Sequence, residues 1–315
     1  MEILQIIWFV LLGILLAAFL ICGGFDFGVG MLMCRFNGDQ KKSAMEAIAP
    51  FWDGNQVWLI TAGGALFAAF PIAYAQILST VYMPIVLLLA LLIFRVAAIE
   101  FFLATENKLW RSVCARICCA SSFGAMFLFG VALACMFDGR ILNASGAVGG
   151  TLSLFTPLSI AAGILTIVFC LSEGSLFFAI KGGDIKYAQT YTLMLAAVFI
   201  VYALLFMIYA NSQALPRYLC FGAIILAYVS LSAASRAARR QKPRLGFFLT
   251  ALFAIFAVSA HAIAAYPYIV APTELGAGID IFSASSSLMT LEIMLGVTVV
   301  GVPIAIAYFI YAHLI

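Results

Sequence analysis

Charge is what this sequence has least of. Only 9% of its 315 residues are Asp, Glu, Lys or Arg, against roughly 25% in a soluble domain. So few charges cannot cover a water-facing surface, which excludes an ordinary soluble fold. Histidine is scarcer still, with two copies, His261 and His313. The eight cysteines form no C-x-x-C pair, so neither a zinc site nor a c-type haem attachment is signalled. No basic stripe with interleaved aromatics is present, which argues against a nucleic-acid partner. Met1 to Gln5 contains no Lys or Arg, so the first apolar run lacks the basic start of a cleavable signal peptide and is expected to be retained. There is no low-complexity tract and no long linker.

What is present is apolar length. Hydrophobic residues make up 66% of the chain and mean hydropathy is +1.17. A span needs about 20 apolar residues to cross a hydrocarbon core of ~30 Å. The runs predict an all-α membrane protein of about nine transmembrane helices, near 6–33, 52–75, 77–103, 113–138, 153–180, 188–211, 216–236, 245–270 and 286–313. Residues 52–103 are too long for one crossing at 1.5 Å per residue, and Pro71 marks the expected break.

Basic residues fall after helices 1, 3, 5 and 7: Arg35, Lys41 and Lys42; Lys108, Arg111 and Arg116; Lys181 and Lys186; and Arg236, Arg239, Arg240, Lys242 and Arg244. Of all 16 Lys and Arg, only Arg95, Arg140 and Arg217 lie elsewhere. The positive-inside rule then puts the N-terminus outside and the C-terminus inside. Gly24-Phe25-Asp26-Phe27-Gly28 in helix 1 and Ser172-Glu173-Gly174-Ser175 in helix 5 echo each other, an acid beside glycine at matching distance from a basic loop. The echo suggests one integral membrane domain, 1–315, with related halves 1–140 and 150–270, two four-helix bundles, and a peripheral ninth helix at 286–313.

Ionisable groups inside spans are costly and persist when paired, buried in protein or set along a polar path. The candidates are Asp26, Asp53, Arg95, Glu100, Glu173 and Glu292. Asp26 lies nine residues before Arg35, and Arg95 nine before Ala104. Both are then roughly 14 Å from the inner boundary, so an Asp26–Arg95 pair is geometrically possible. Gly24 and Gly28, four apart, form a close-approach face. In Phe51-Trp52-Asp53-Gly54-Asn55-Gln56-Val57-Trp58, Asp53 shares a helix face with Gln56, and Asn55 shares the opposite one with Trp58. A helix end polar on two sides must be surrounded by protein or reach the interface.

Gly24-Phe25-Asp26-Phe27-Gly28-Val29-Gly30 and the run from Ala49 to Pro71 resemble the N-terminal signatures of subunit II of cytochrome bd-type quinol oxidases. Arg95 with Glu100 resembles that family's charged third helix. Tyr266-Pro267 and Ser286-Ser287-Leu288-Met289-Thr290-Leu291 resemble its last two helices. The resemblance implies a subunit of an enzyme of the bacterial cytoplasmic (inner) membrane that oxidises quinol and reduces O2 to water, building a proton gradient. It places two haems b and one haem d in partner subunit I. Subunit II would support that partner and provide proton or oxygen access, with a small single-helix subunit, lipid and quinone as further partners. Asp53 resembles the inlet acid of a proton path, joined by Glu100 and by Asp26 as a deeper relay or as the partner of Arg95. Trp58 resembles the entrance of an oxygen path; Trp52, Asn55, Gly24 and Gly28 support the motifs. Gly23 stands where family members often carry an acid, and the position of Glu173 varies in the family, so no role transfers to either. No haem is expected in this chain. His261 reads as a satisfied intramembrane polar residue, His313 as interfacial. A reading from another class remains: a stand-alone secondary transporter with paired halves.

Overall fold

The computed structural model describes residues 1–139, 154–209, 217–272 and 278–314. Arg140 and the ends of three expected spans, 153–180, 188–211 and 216–236, lie outside them, as does the side chain of His313. The chain is almost wholly helical. In order it forms α1 (Glu2–Leu32), α2 (Gly38–Ile48), α3 (Trp52–Ala69), α4 (Pro71–Thr80), α5 (Tyr82–Ala104), α6 (Lys108–Phe137), α7 (Pro157–Ile180), α8 (Ile185–Tyr209), α9 (Arg217–Arg239) and α10 (Pro243–Ala265). A two-stranded antiparallel ribbon follows, β1 (Tyr268–Val270) with β2 (Ile279–Asp280), then α11 (Ile281–Ala284) and α12 (Leu288–Leu314). Among the described residues seven helices are long and apolar enough to cross a membrane: α1 and α5 to α10.

The expected span 52–75 is in fact two pieces. Pro71 cannot donate a backbone hydrogen bond and pushes the residue before it out of the helical region. Phe70 accordingly sits at φ −133°, ψ 64°, and α4 restarts with Pro71 in its first turn. A second break at Val81 separates α4 from α5, so the helix expected to begin at 77 begins at Tyr82. The basic stretch after α1, expected as a loop, is also helical. Asn37 accepts from the Gln40 amide while the Gln40 side chain accepts from the Asn37 amide, a reciprocal cap that starts α2. The expected span 245–270 ends at Ala265, and its last residues form β1 instead; β2 and α11 had no counterpart in the hydropathy pattern. Ile269, Val270, Ile279, Ile281 and Ala284 are buried there over the N-terminal end of α1, the C-terminal ends of α3 and α6, and α4.

α1 packs more extensively against α7 than against any other helix. The reason is backbone contact at glycine. A Cβ on Gly28 would stand 1.7 Å from the Cys170 carbonyl oxygen and 2.9 Å from the Gly174 nitrogen. A Cβ on Gly174 would stand 2.4 Å from the Gly28 carbonyl carbon. The two echoing motifs of the sequence therefore meet each other at the crossing. On one side of it α1, α3, α5 and α6 surround Asp26; on the other α7 to α10 pack in a ring. α12 packs only lightly, against α1 and α3.

Candidate functional site

Asp26, Asn55, Arg95 and Ser122 come from four helices, α1, α3, α5 and α6, and all four are fully buried. The Arg95 Nη2 donates to Asp26 Oδ1, closing a buried ion pair. Asn55 Nδ2 donates to Asp26 Oδ2 at 3.0 Å, and Arg95 Nε donates to Ser122 Oγ at 3.2 Å. The guanidinium also lies 4.1 Å over the Phe27 ring, where the π face favours a cation. Opposite charges in contact offset part of each other's desolvation, and the extra hydrogen bonds supply more of what water supplied before burial. Two polar atoms at the cluster stay unsatisfied, Arg95 Nη1 and Asn55 Oδ1. Buried groups of this kind are the usual partners of internal water.

The local sequence explains the placement. Gly24 and Gly28 give α1 its close face toward α7; a Cβ on Gly24 would lie 2.9 Å from the Phe169 ring. That leaves Asp26, two residues before Gly28, directed the other way, toward α3 and α5. Gly30 serves the same end on α6, where a Cβ would meet Ser122 Oγ at 2.5 Å. On α3, the side that carries Asn55 is buried against Asp26, and Asp53 is exposed on the other side. Trp52 and Trp58 are half-buried and pack on the main apolar core. Glu100 is exposed on α5, and Glu292 on α12. The structure thus brings Asp26, Asn55 and Arg95 together and leaves Asp53 and Glu100 apart from them, on the outer surface of the chain.

Sequence reasoning missed Ser122. Its signal was faint: Ser121 bonds back to the Ile117 carbonyl of its own helix, as most intramembrane serines can, while Ser122 reaches across to Arg95. It also missed the partner of His261. The His261 Nδ1 donates to the Ala257 carbonyl at 2.7 Å, which leaves Nε2 as acceptor for the Tyr202 hydroxyl. This pair lines an apolar cavity of about 170 Å³ between α1, α6, α7 and α10. At the N-terminal end of α1, Gln5 Nε2 donates to Ser285 Oγ and Trp8 Nε1 to the Leu291 carbonyl, tying α1 to the end of the chain.

Comparison with known proteins gives a consistent result. The family model for cytochrome bd terminal oxidase subunit II matches residues 4–315. The chain is 30% identical to the cytochrome bd-I ubiquinol oxidase subunit 2 of Escherichia coli K12, over 98% of this chain and 92% of that one. It is 35% identical to the cytochrome bd ubiquinol oxidase subunit 2 of Bacillus subtilis over 59% of this chain and 56% of that one. Its fold matches a chain of the bd oxidase of Geobacillus thermodenitrificans with a TM-score of 0.78, covering 98% and 97% of the two chains at 16% identity.

Proposed function

The chain belongs to the cytochrome bd terminal oxidase subunit II family, and from that premise we propose how its residues serve the complex. It is a multi-pass membrane subunit of a respiratory quinol:oxygen oxidoreductase, and it works in a complex with subunit I. Haem and quinol belong to that complex. The family assignment overturns the stand-alone transporter as an alternative.

The finer reading is ours. Nine spans cross the bacterial inner membrane, with α3 and α4 together forming the second and α12 the ninth, N-terminus outside and C-terminus inside. The halves 1–140 and 150–270 are repeats related across the Gly28–Gly174 crossing. Two haems b and one haem d reside in subunit I. That division is supported by His261, which already uses both ring nitrogens within the protein. When bound in the partner, the haems supply electron transfer and oxygen reduction; this chain supplies scaffold and access. A small single-helix subunit, lipid and quinone complete the assembly.

α3 carries the proposal. Of its 18 residues only Asn55, Ala62 and Ala69 are buried, and its exposed side bears Asp53. The acid stands in the first turn of α3, and the side it heads runs on through the exposed Val57, Ile60 and Phe67; a docked subunit I covers that side. Asp53 and the exposed Glu100 then serve as proton-path acids at the surface shared with subunit I. Asp26, held by Arg95 and Asn55, anchors α1, α3 and α5 behind them. Trp58 lies at the oxygen-path entrance on the same helix, with Trp52 packing beside the inlet acid. The test is Asp53→Asn in the purified complex. Quinol-dependent oxygen consumption should fall severalfold while the haem spectrum keeps its wild-type amplitude; normal turnover would remove Asp53 from the path.

A further inference from the structure

Glu173 lies on the far side of the α1–α7 crossing from Asp26, in the ring of α7 to α10, and the oxidase reading gives it no task. It is fully buried. Neither carboxyl oxygen has a hydrogen bond of good geometry among the described residues. The polar group that faces it is the Thr250 hydroxyl of α10, whose single proton is shared between the carboxyl and the Gly246 and Phe247 carbonyls of its own helix. No cation offsets it: the described ion pairs are Arg95 with Asp26 and Lys42 with Glu46. The titratable groups near enough to feel it are two thiols, Cys22 on α1 and Cys170 on its own helix. From α8 and α9 the buried hydroxyl-bearing residues are Thr192, Ser230 and Ser235, with Tyr191 and Tyr202 on α8. An ionised carboxylate in this setting would lack a counter-charge and would have the Thr250 hydroxyl as its neighbouring donor.

The placement of the hydroxyls shows a direction. Glu173, Thr192 and Thr250 each stand seven positions from the basic end of their helices (173 to 180, 185 to 192, 243 to 250), roughly 10 Å at 1.5 Å per residue. Ser235 lies nearer that end, and its hydroxyl is unsatisfied, as is that of Ser172 beside Glu173. Between this level and the basic loops stands one apolar layer of Leu176, Ala188 and Ala238, with Phe247 against it. On the other side the Phe169 and Phe253 rings, 6.0 Å apart, close the bundle toward the apolar cavity. Ser175 and Ser235 are the buried serine hydroxyls between Glu173 and the basic end, while Ser230, on the other side of that level, is bonded back to the Leu226 carbonyl of its own helix.

We propose that Glu173 is a proton-binding site of this subunit, loaded as the neutral acid and exchanging with the basic-side water through the α7–α10 ring, separate from the Asp26–Arg95 cluster. The proposal does not depend on the role given to Asp53.

Infrared spectroscopy of the assembled complex tests it. The wild type should show a carboxylic-acid C=O band that shifts in D2O and is lost in Glu173→Gln. A band unchanged by the substitution, or lost with it but insensitive to D2O, overturns the proposal, the first because the group is not the neutral acid and the second because it does not exchange. A second measurement needs no variant. A protonated carboxyl in an apolar site adds its O–H across a C=N bond of dicyclohexylcarbodiimide, and the O-acylisourea rearranges to a stable N-acylurea with no atom lost. Peptide mass spectrometry of the treated wild-type complex should find that adduct on Glu173. An unmodified Glu173 peptide alongside adducts on other carboxyls counts against the site.

Discussion

At the scale of single residues, the Asp26–Arg95 pair decides how α1, α3 and α5 fit together. Its value lies in the cost of breaking it. Arg95→Ala would leave Asp26 buried without its counter-charge, a loss of about 3–5 kcal/mol for pairs of this kind. We expect that variant to lower the yield and thermal stability of the assembled oxidase more than the turnover of what assembles; full assembly with dead turnover would contradict the structural role. Combining Asp26→Asn with Arg95→Gln removes both charges and should recover part of the loss, read as the melting temperature in detergent. A different residue argument applies at Asp280, outside the spans. Burial pushes its carboxyl up, but the Ser283 hydroxyl and the Ser283 and Phe282 amides bond to it and hold it below the ordinary carboxylate range. A depressed folded value means the stabilisation is complete above the unfolded value and is lost as pH falls through the folded one. Hydrogen exchange over 279–284 should therefore rise, relative to the intrinsic rate, only below the usual range for aspartate. Asp280→Ala should abolish that dependence.

At the scale of elements, the α1–α7 crossing is the contact with least tolerance. A methyl on Gly28 cannot fit 1.7 Å from a backbone oxygen, and the neighbour is backbone that cannot rotate away. Gly28→Ala must push the two helices apart. Overpacking of this sort costs about 1–3 kcal/mol, and more where backbone must move. Gly13, on the same helix, has open space where a methyl would stand, with nothing within 4 Å, so Gly13→Ala serves as the control. Thermal unfolding of the two complexes should differ by several degrees, with Gly13→Ala close to wild type. Much of this was legible: Gly24 and Gly28 mark a close face, and the echo around Glu173 marks its partner. That they touch each other was not, because spacing within a helix carries no information on which neighbour it meets. The break at Phe70 was legible from Pro71; the second break at Val81 also has a proline behind it, Pro84 in the first turn of α5, but the unbroken apolar run 77–103 concealed it.

For the whole molecule, the governing fact is the outer side of α3 and α5. Val57, Ile60 and Phe67 on α3 and Ile93, Phe94 and Phe101 on α5 are more than half exposed, and Asp53 and Glu100 stand among or beside them. An apolar surface suits lipid, but acids within it suit a partner chain. Expressed without subunit I, this chain should be obtained colourless and melt at a lower temperature than in the complex, because a partner that binds only the folded form stabilises it by mass action. Equal melting temperatures with and without the pigmented partner would show that this side needs no cover.

By itself the sequence determined the solvent, the helical class and the identity of the residues that matter, because hydrocarbon admits only long apolar helices and makes each charge within them conspicuous. It placed Asp26 and Arg95 at one depth, since depth along a helix is a count of residues. Tertiary structure decided direction. It turned Asp26 to Arg95 and Asn55 and Arg95 to Ser122, sent Asp53 to the opposite side of α3, and set Glu173 in the second ring. Those outcomes rest on how helices rotate and cross, and that is set by contacts between segments far apart in the chain, at glycines whose partners no local pattern names.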